Sequence, residues 1–78
     1  MAPRARSLDR AREVAERLAE GWPQSRIADE LGLTPSSLSR RVAALRAVLV
    51  ERTGDPSWLD PARRPAVMVA REWLKRAA

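Results

Sequence analysis

The chain has no cysteine, no histidine and no tyrosine. Without cysteine, neither a disulfide framework nor a thiolate zinc site can supplement the core. Without histidine and tyrosine the usual general bases and metal ligands are missing, and only carboxylates and hydroxyls remain to carry catalysis. No catalytic residue, metal ligand or cofactor-binding residue is therefore expected, and an enzyme is not the expected class. Long apolar runs are missing too: no stretch reaches the roughly 18 residues of a membrane span, and Met1 to Arg6 is followed by no apolar segment of the kind a secretory signal needs. The expectation is a protein without a membrane partner, retained in the cytoplasm.

What is present is positive charge. The 78 residues carry a formal net charge of +5, and the pI is about 11.4, a balance that favours a polyanion as partner. All but one of the 15 basic residues are arginine, Lys75 being the exception. A chain of this length holds one domain with a modest core, so its stability has to come from helix packing.

Residues 1 to 6 are short and basic, carry Pro3, and read as a flexible basic arm, with Arg4 and Arg6 as candidates for a neighbouring minor groove. Residues 7 to 78 read as one domain. Ser7 is placed to cap a first amphipathic helix from Leu8 to Glu20, in which Leu8, Ala11, Val14, Ala15, Leu18 and Ala19 recur at helical spacing. Gly21 stops it, Trp22 plugs the corner, and Pro23 opens a short second helix from Gln24 to Leu31 with Ile27, Ala28 and Leu31 inward. Gly32 ends that helix, and Thr34 caps a third that Pro35 begins. Leu38, Val42, Leu45 and Leu49 keep one stripe along it, and no acidic residue occurs between Thr34 and Val50. Gly54, Pro56 and Pro61 break residues 53 to 64 into a loop with Trp58 and Leu59 tucked back against the body. A fourth helix runs from about 65 to 76. The expected fold is all-α: a small four-helix domain.

Residues 24 to 46 carry a helix-turn-helix pattern. Two short helices that cross closely need a small residue at the contact, and Ala28 supplies it; the tight turn needs a permissive backbone, and Gly32 supplies that. The second helix of such a motif, here residues 35 to 49, enters the major groove of double-stranded DNA. At 100° per residue Arg40 lies opposite the core stripe, with Ser36, Ala43 and Ala47 on its face, and Ser37 and Ser39 on its shoulders. Arg40 is expected to bond a guanine through O6 and N7, assisted by Ser36 and Ser39. Arg41 and Arg46 flank the stripe as phosphate contacts, joined by Gln24, Ser25 and Arg26 at the amino end of the second helix and by Thr34 and Ser37 at the start of the third.

The run "LAEGWPQSRIADELGLTPSSLSRRVAALRAVL", Leu18 to Leu49, resembles the DNA-binding domain of LuxR/GerE-type bacterial regulators and, more distantly, region 4 of sigma factors and the DNA-binding tail of serine recombinases. The resemblance implies base contacts at Ser39, Arg40 and Ala43, where Ala43 offers an apolar contact such as to a thymine methyl. The later "RRPAVMVAREWL" is similar to the fourth helix of that family, which often forms the dimer contact; Val67, Met68, Val69, Ala70, Trp73 and Leu74 are the corresponding candidates, on a helix whose wide apolar surface is expected both to complete the small core and in part to form a symmetric seam. The expected function is that of a small bacterial, phage or plasmid transcription regulator, nucleoid-associated, acting as a homodimer on a specific operator and with a contact to RNA polymerase as a further expectation. Two alternatives stay open: a DNA-targeting module of a recombinase or sigma-like factor, and a protein-interaction module whose basic helix binds polymerase or another regulator.

Overall fold

A computed structural model describes the backbone of residues 3 to 77 and the side chains from Arg10 to Ala77. Four α-helices and one short 3-10 helix follow in order: α1 (Pro3–Ala19), α2 (Gln24–Leu31), α3 (Pro35–Thr53), η1 (Pro56–Leu59) and α4 (Ala66–Ala77). There is no strand among the described residues. The small all-α domain expected from the sequence is the fold observed.

The core is built from the apolar stripes. Val14, Ala15 and Leu18 of α1, Ile27 and Ala28 of α2, Leu38, Val42, Leu45 and Leu49 of α3, Trp58 of η1, and Val69 and Ala70 of α4 form one buried cluster. Each fully buried leucine or isoleucine contributes about 1.5 to 3 kcal/mol by leaving water. No polar or charged side chain is buried among the described residues. The most extensive helix contact is between α1 and α4, so the last helix closes the core from the side away from α2. Arg10 ties the middle of α1 to the motif, its Nη1 donating to the carbonyl oxygen of Leu31 at 2.8 Å.

The turn between α2 and α3 shows why Gly32 stands there. It sits in the left-handed region, with φ 67° and ψ 33°, where a side chain costs roughly 1 kcal/mol and glycine costs nothing comparable. Its conformation lets the Leu33 N–H reach back to the Ala28 carbonyl at 2.8 Å, satisfying a carbonyl that the helix end would leave open. Thr34 then caps α3 as expected: its hydroxyl oxygen accepts from the Ser37 N–H at 3.1 Å, and Pro35 occupies the first helical position.

Three boundaries differ from expectation. α1 begins at Pro3, so Ser7 lies within it rather than capping it, and residues 3 to 6 are helical where an arm was expected. The side chains of Arg4 and Arg6, the minor-groove candidates, lie outside the described residues, as does all of Met1. α3 continues past Leu49 to Thr53 and stops at Gly54, whose N–H bonds the Val50 carbonyl at 2.7 Å. The segment read as a loop contains η1, started by an Asp55 carboxylate that accepts from the Ser57 N–H at 2.9 Å, with Pro56 at its first position. Trp58 is tucked in at 7% exposed, whereas Leu59, expected beside it, is 54% exposed.

Candidate nucleic-acid interface

α3 presents the face that sequence geometry assigns to it. With Leu38, Val42, Leu45 and Leu49 buried, the exposed side carries Ser36, Ser39, Arg40, Ala43, Ala44 and Ala47. Arg40 is the one long side chain in that group, so it alone can reach deep base edges with a two-donor fork. Beside it opens a shallow cleft lined by Ser37, Arg40, Arg41 and Ala44. Arg41 is half-buried there, and its Nε is shielded from solvent without a hydrogen-bond partner in the protein. Two guanidinium groups and a hydroxyl around one cleft, with no carboxylate on this stretch of helix, form a site matched to a phosphate oxygen.

The amino end of α2 adds a second set of donors. No side-chain hydrogen bond caps it, and Pro23 at the cap position offers none, which leaves the first N–H groups open beside the exposed Gln24, Ser25 and Arg26. Arg26 is held by a feature the sequence reading missed: its guanidinium carbon lies 4.1 Å from the centroid of the Trp22 ring, and that of Arg17 lies 5.0 Å from the same centroid. Trp22 is therefore more than a corner plug; it is the aromatic base on which an exposed phosphate-binding candidate rests. The spacing of four between Trp22 and Arg26 at a helix start was the available signal.

Two sets of sequence-predicted residues are placed elsewhere. Arg46 turns inward, its Nη1 donating to the carbonyl oxygens of Trp58 at 2.8 Å and Arg64 at 2.7 Å. It clasps η1 and the following turn to α3, and the two N–H groups of its Nη1 are engaged within the protein rather than offered to a phosphate. Thr34 likewise spends its acceptor on the Ser37 N–H, although its hydroxyl hydrogen stays available at an exposed position. Among the dimer candidates, Val69 and Ala70 are 0% exposed core residues, and Val67, Trp73 and Leu74 are half-buried, leaving Met68 as the exposed one. The apolar breadth of α4 is used in part to complete a small core, through Val69 and Ala70.

A short helix crossing onto a longer one through a glycine turn, with an arginine-bearing outer face free of acids from Pro35 to Val50, defines a helix-turn-helix DNA-binding domain. The chain belongs to the homeodomain-like domain family, whose model matches residues 4–54, the segment from α1 to the end of α3. No curated protein and no solved structure shows significant similarity to the chain. No helix among the described residues is long and apolar enough to cross a membrane.

Proposed function

We propose that the domain reads a specific double-stranded DNA sequence and regulates transcription by occupying it, with α3 in the major groove. The observation that carries this reading is the exposed position of Arg40 on the face of α3 directly opposite the core stripe, within a helix-turn-helix of the homeodomain-like family. Arg40 donates two hydrogen bonds to guanine O6 and N7. Ser36 and Ser39 add shorter contacts, and Ala43 lies against a thymine methyl. Arg41, Ser37 and the Thr34 hydroxyl take phosphates on one side, and Gln24, Ser25 and Arg26 take them on the other. The binding module performs no chemistry of its own. It works in the cytoplasm on DNA of a bacterial, phage or plasmid genome, in keeping with the LuxR/GerE-like run from Leu18 to Leu49.

One α3 covers only a few base pairs, and two copies on neighbouring half-sites are the common route to useful affinity. In this reading the copies pair on DNA. A strong dimer in free solution is not part of it, because a standard interface buries about 800 Å² on each partner and the only exposed large apolar side chains among the described residues are Leu59 and Met68. Selection from a randomised duplex pool tests the function: an enriched motif with one half-site or a two-fold repeat supports it, and a pool without enrichment removes it.

A further inference from the structure

On the outer side of α4, Trp58, Arg64, Met68, Arg71, Glu72, Lys75 and Arg76 line an open groove. None of them belongs to α2 or α3, so this surface is separate from the one assigned to DNA. Its floor is partly apolar, through Met68, which is 42% exposed. Its rim is cationic. Four of the seven lining residues are basic, and the one acid, Glu72, is held by Arg76 Nε at 2.8 Å. Arg64 is occupied as well, lying 4.3 Å from the Trp58 ring centroid and 3.4 Å from the Asp55 carboxylate. Arg71 uses only its Nε, donating to the Ala19 carbonyl at 3.3 Å, so its terminal nitrogens remain. Lys75 is exposed and enters no ion pair among the described residues.

We infer that this groove docks an acidic, amphipathic helical segment of another protein, its apolar side chains on Met68 and its carboxylates on Lys75 and Arg71. The two halves of the surface choose the occupant. A phosphodiester backbone satisfies the cations but gains nothing from an exposed thioether, whereas an amphipathic acidic helix satisfies both. A second copy of this chain is disfavoured by charge, since it carries +5 itself and would set Arg71 and Lys75 against the same cations. The inference stands apart from the function proposed for α3: a domain that holds DNA on one face and an acidic partner on another can act as an adaptor between them.

The test uses the full chain and a fluorescein-labelled synthetic peptide with leucines at every third or fourth position and aspartate or glutamate elsewhere. Its control is a peptide of equal charge with serine for each leucine. Binding is read by fluorescence polarisation, and in parallel by the Met68 methyl and Trp58 indole signals of the wild-type protein in NMR, which needs no variant to fold. The expected result is that both signals move while that of Trp22 stays, that the serine peptide binds far more weakly, and that Lys75→Glu and Met68→Ser each weaken binding about five- to tenfold with duplex binding unchanged. Any of four results overturns the inference: unmoved Met68 and Trp58 signals, equal binding of the serine peptide, self-association through this groove, or duplex DNA shifting Met68 and losing affinity in the same variants. Loss of sequence-specific duplex binding alone would instead count against the reading of α3.

Discussion

Arg46 Nη1 donates to the carbonyl oxygen of Trp58 at 2.8 Å, which fastens the 3-10 turn to the middle of α3. With the second bond to Arg64, one guanidinium satisfies two carbonyls of a segment that has little regular structure to satisfy them. Charge-assisted hydrogen bonds of this kind are worth about 1.5 to 3 kcal/mol where shielded and less where water reaches them. Arg46→Ala is therefore expected to lower stability by about 1 to 2 kcal/mol in urea unfolding, while the folded variant keeps its duplex affinity. A lost affinity with unchanged stability would return Arg46 to the phosphate-contact role expected from sequence.

The family-matched segment ends at Gly54, but the core does not. Trp58, Val69 and Ala70 come from beyond it, and α1 packs on α4 more extensively than on any other element. A fragment of residues 4 to 54 removes the α4 partner of α1 and α3 and is expected to lack a cooperative thermal transition in circular dichroism. A fragment that melts as sharply as the whole chain would show that α4 is an addition to an already stable unit.

Gly32 has nothing within 4 Å of where a Cβ would stand, so substitution there meets no obstacle except the backbone conformation. Gly32→Ala should cost about 1 kcal/mol and Gly32→Asn less, since asparagine tolerates the left-handed region. Chemical denaturation of the two variants measures this directly; an alanine variant equal to wild type would mean the turn relaxes to another conformation.

Asp55 is held below the ordinary carboxylate range, first by the backbone N–H of Ser57, then by the Ser57 hydroxyl and the Arg64 guanidinium. Its pKa is depressed in the folded state, so the stability it contributes is fully present above the unfolded value and is lost as pH falls through the folded one. Thermal melts should show the difference between wild type and Asp55→Asn at neutral pH and its disappearance under strongly acidic conditions. A difference that grew on acidification would contradict the assignment.

Sequence periodicity made the core of the motif legible, because Leu38, Val42, Leu45 and Leu49 repeat at a spacing that only a helix puts on one side, and Gly32 and Thr34 mark a turn and a cap by their own chemistry. The outer face followed by subtraction, which is why Arg40 is where it was expected. The direction of Arg46 was not legible: it flanks the stripe, and whether a flanking arginine turns outward or inward depends on η1 and the turn after it, whose Trp58 and Arg64 carbonyls meet it from 12 and 18 residues away. Asp55, Pro56 and Ser57 did carry the local signal for that turn. The use of α4 was hidden for a related reason. A helix apolar over much of its circumference fits a seam, a core or both, and only the packing places Val69 and Ala70 in the core.

The central claim is that Arg40 reads a base from the outer face of α3, and the most direct test is selection from a randomised duplex pool at about 0.15 M salt with wild type and with Arg40→Ala. The account predicts an enriched motif containing a guanine, loss of the preference at that position in the variant, and an affinity deficit of about 1 to 3 kcal/mol on the selected duplex with unchanged thermal stability. No enriched motif, or the same motif selected equally by Arg40→Ala, would contradict it.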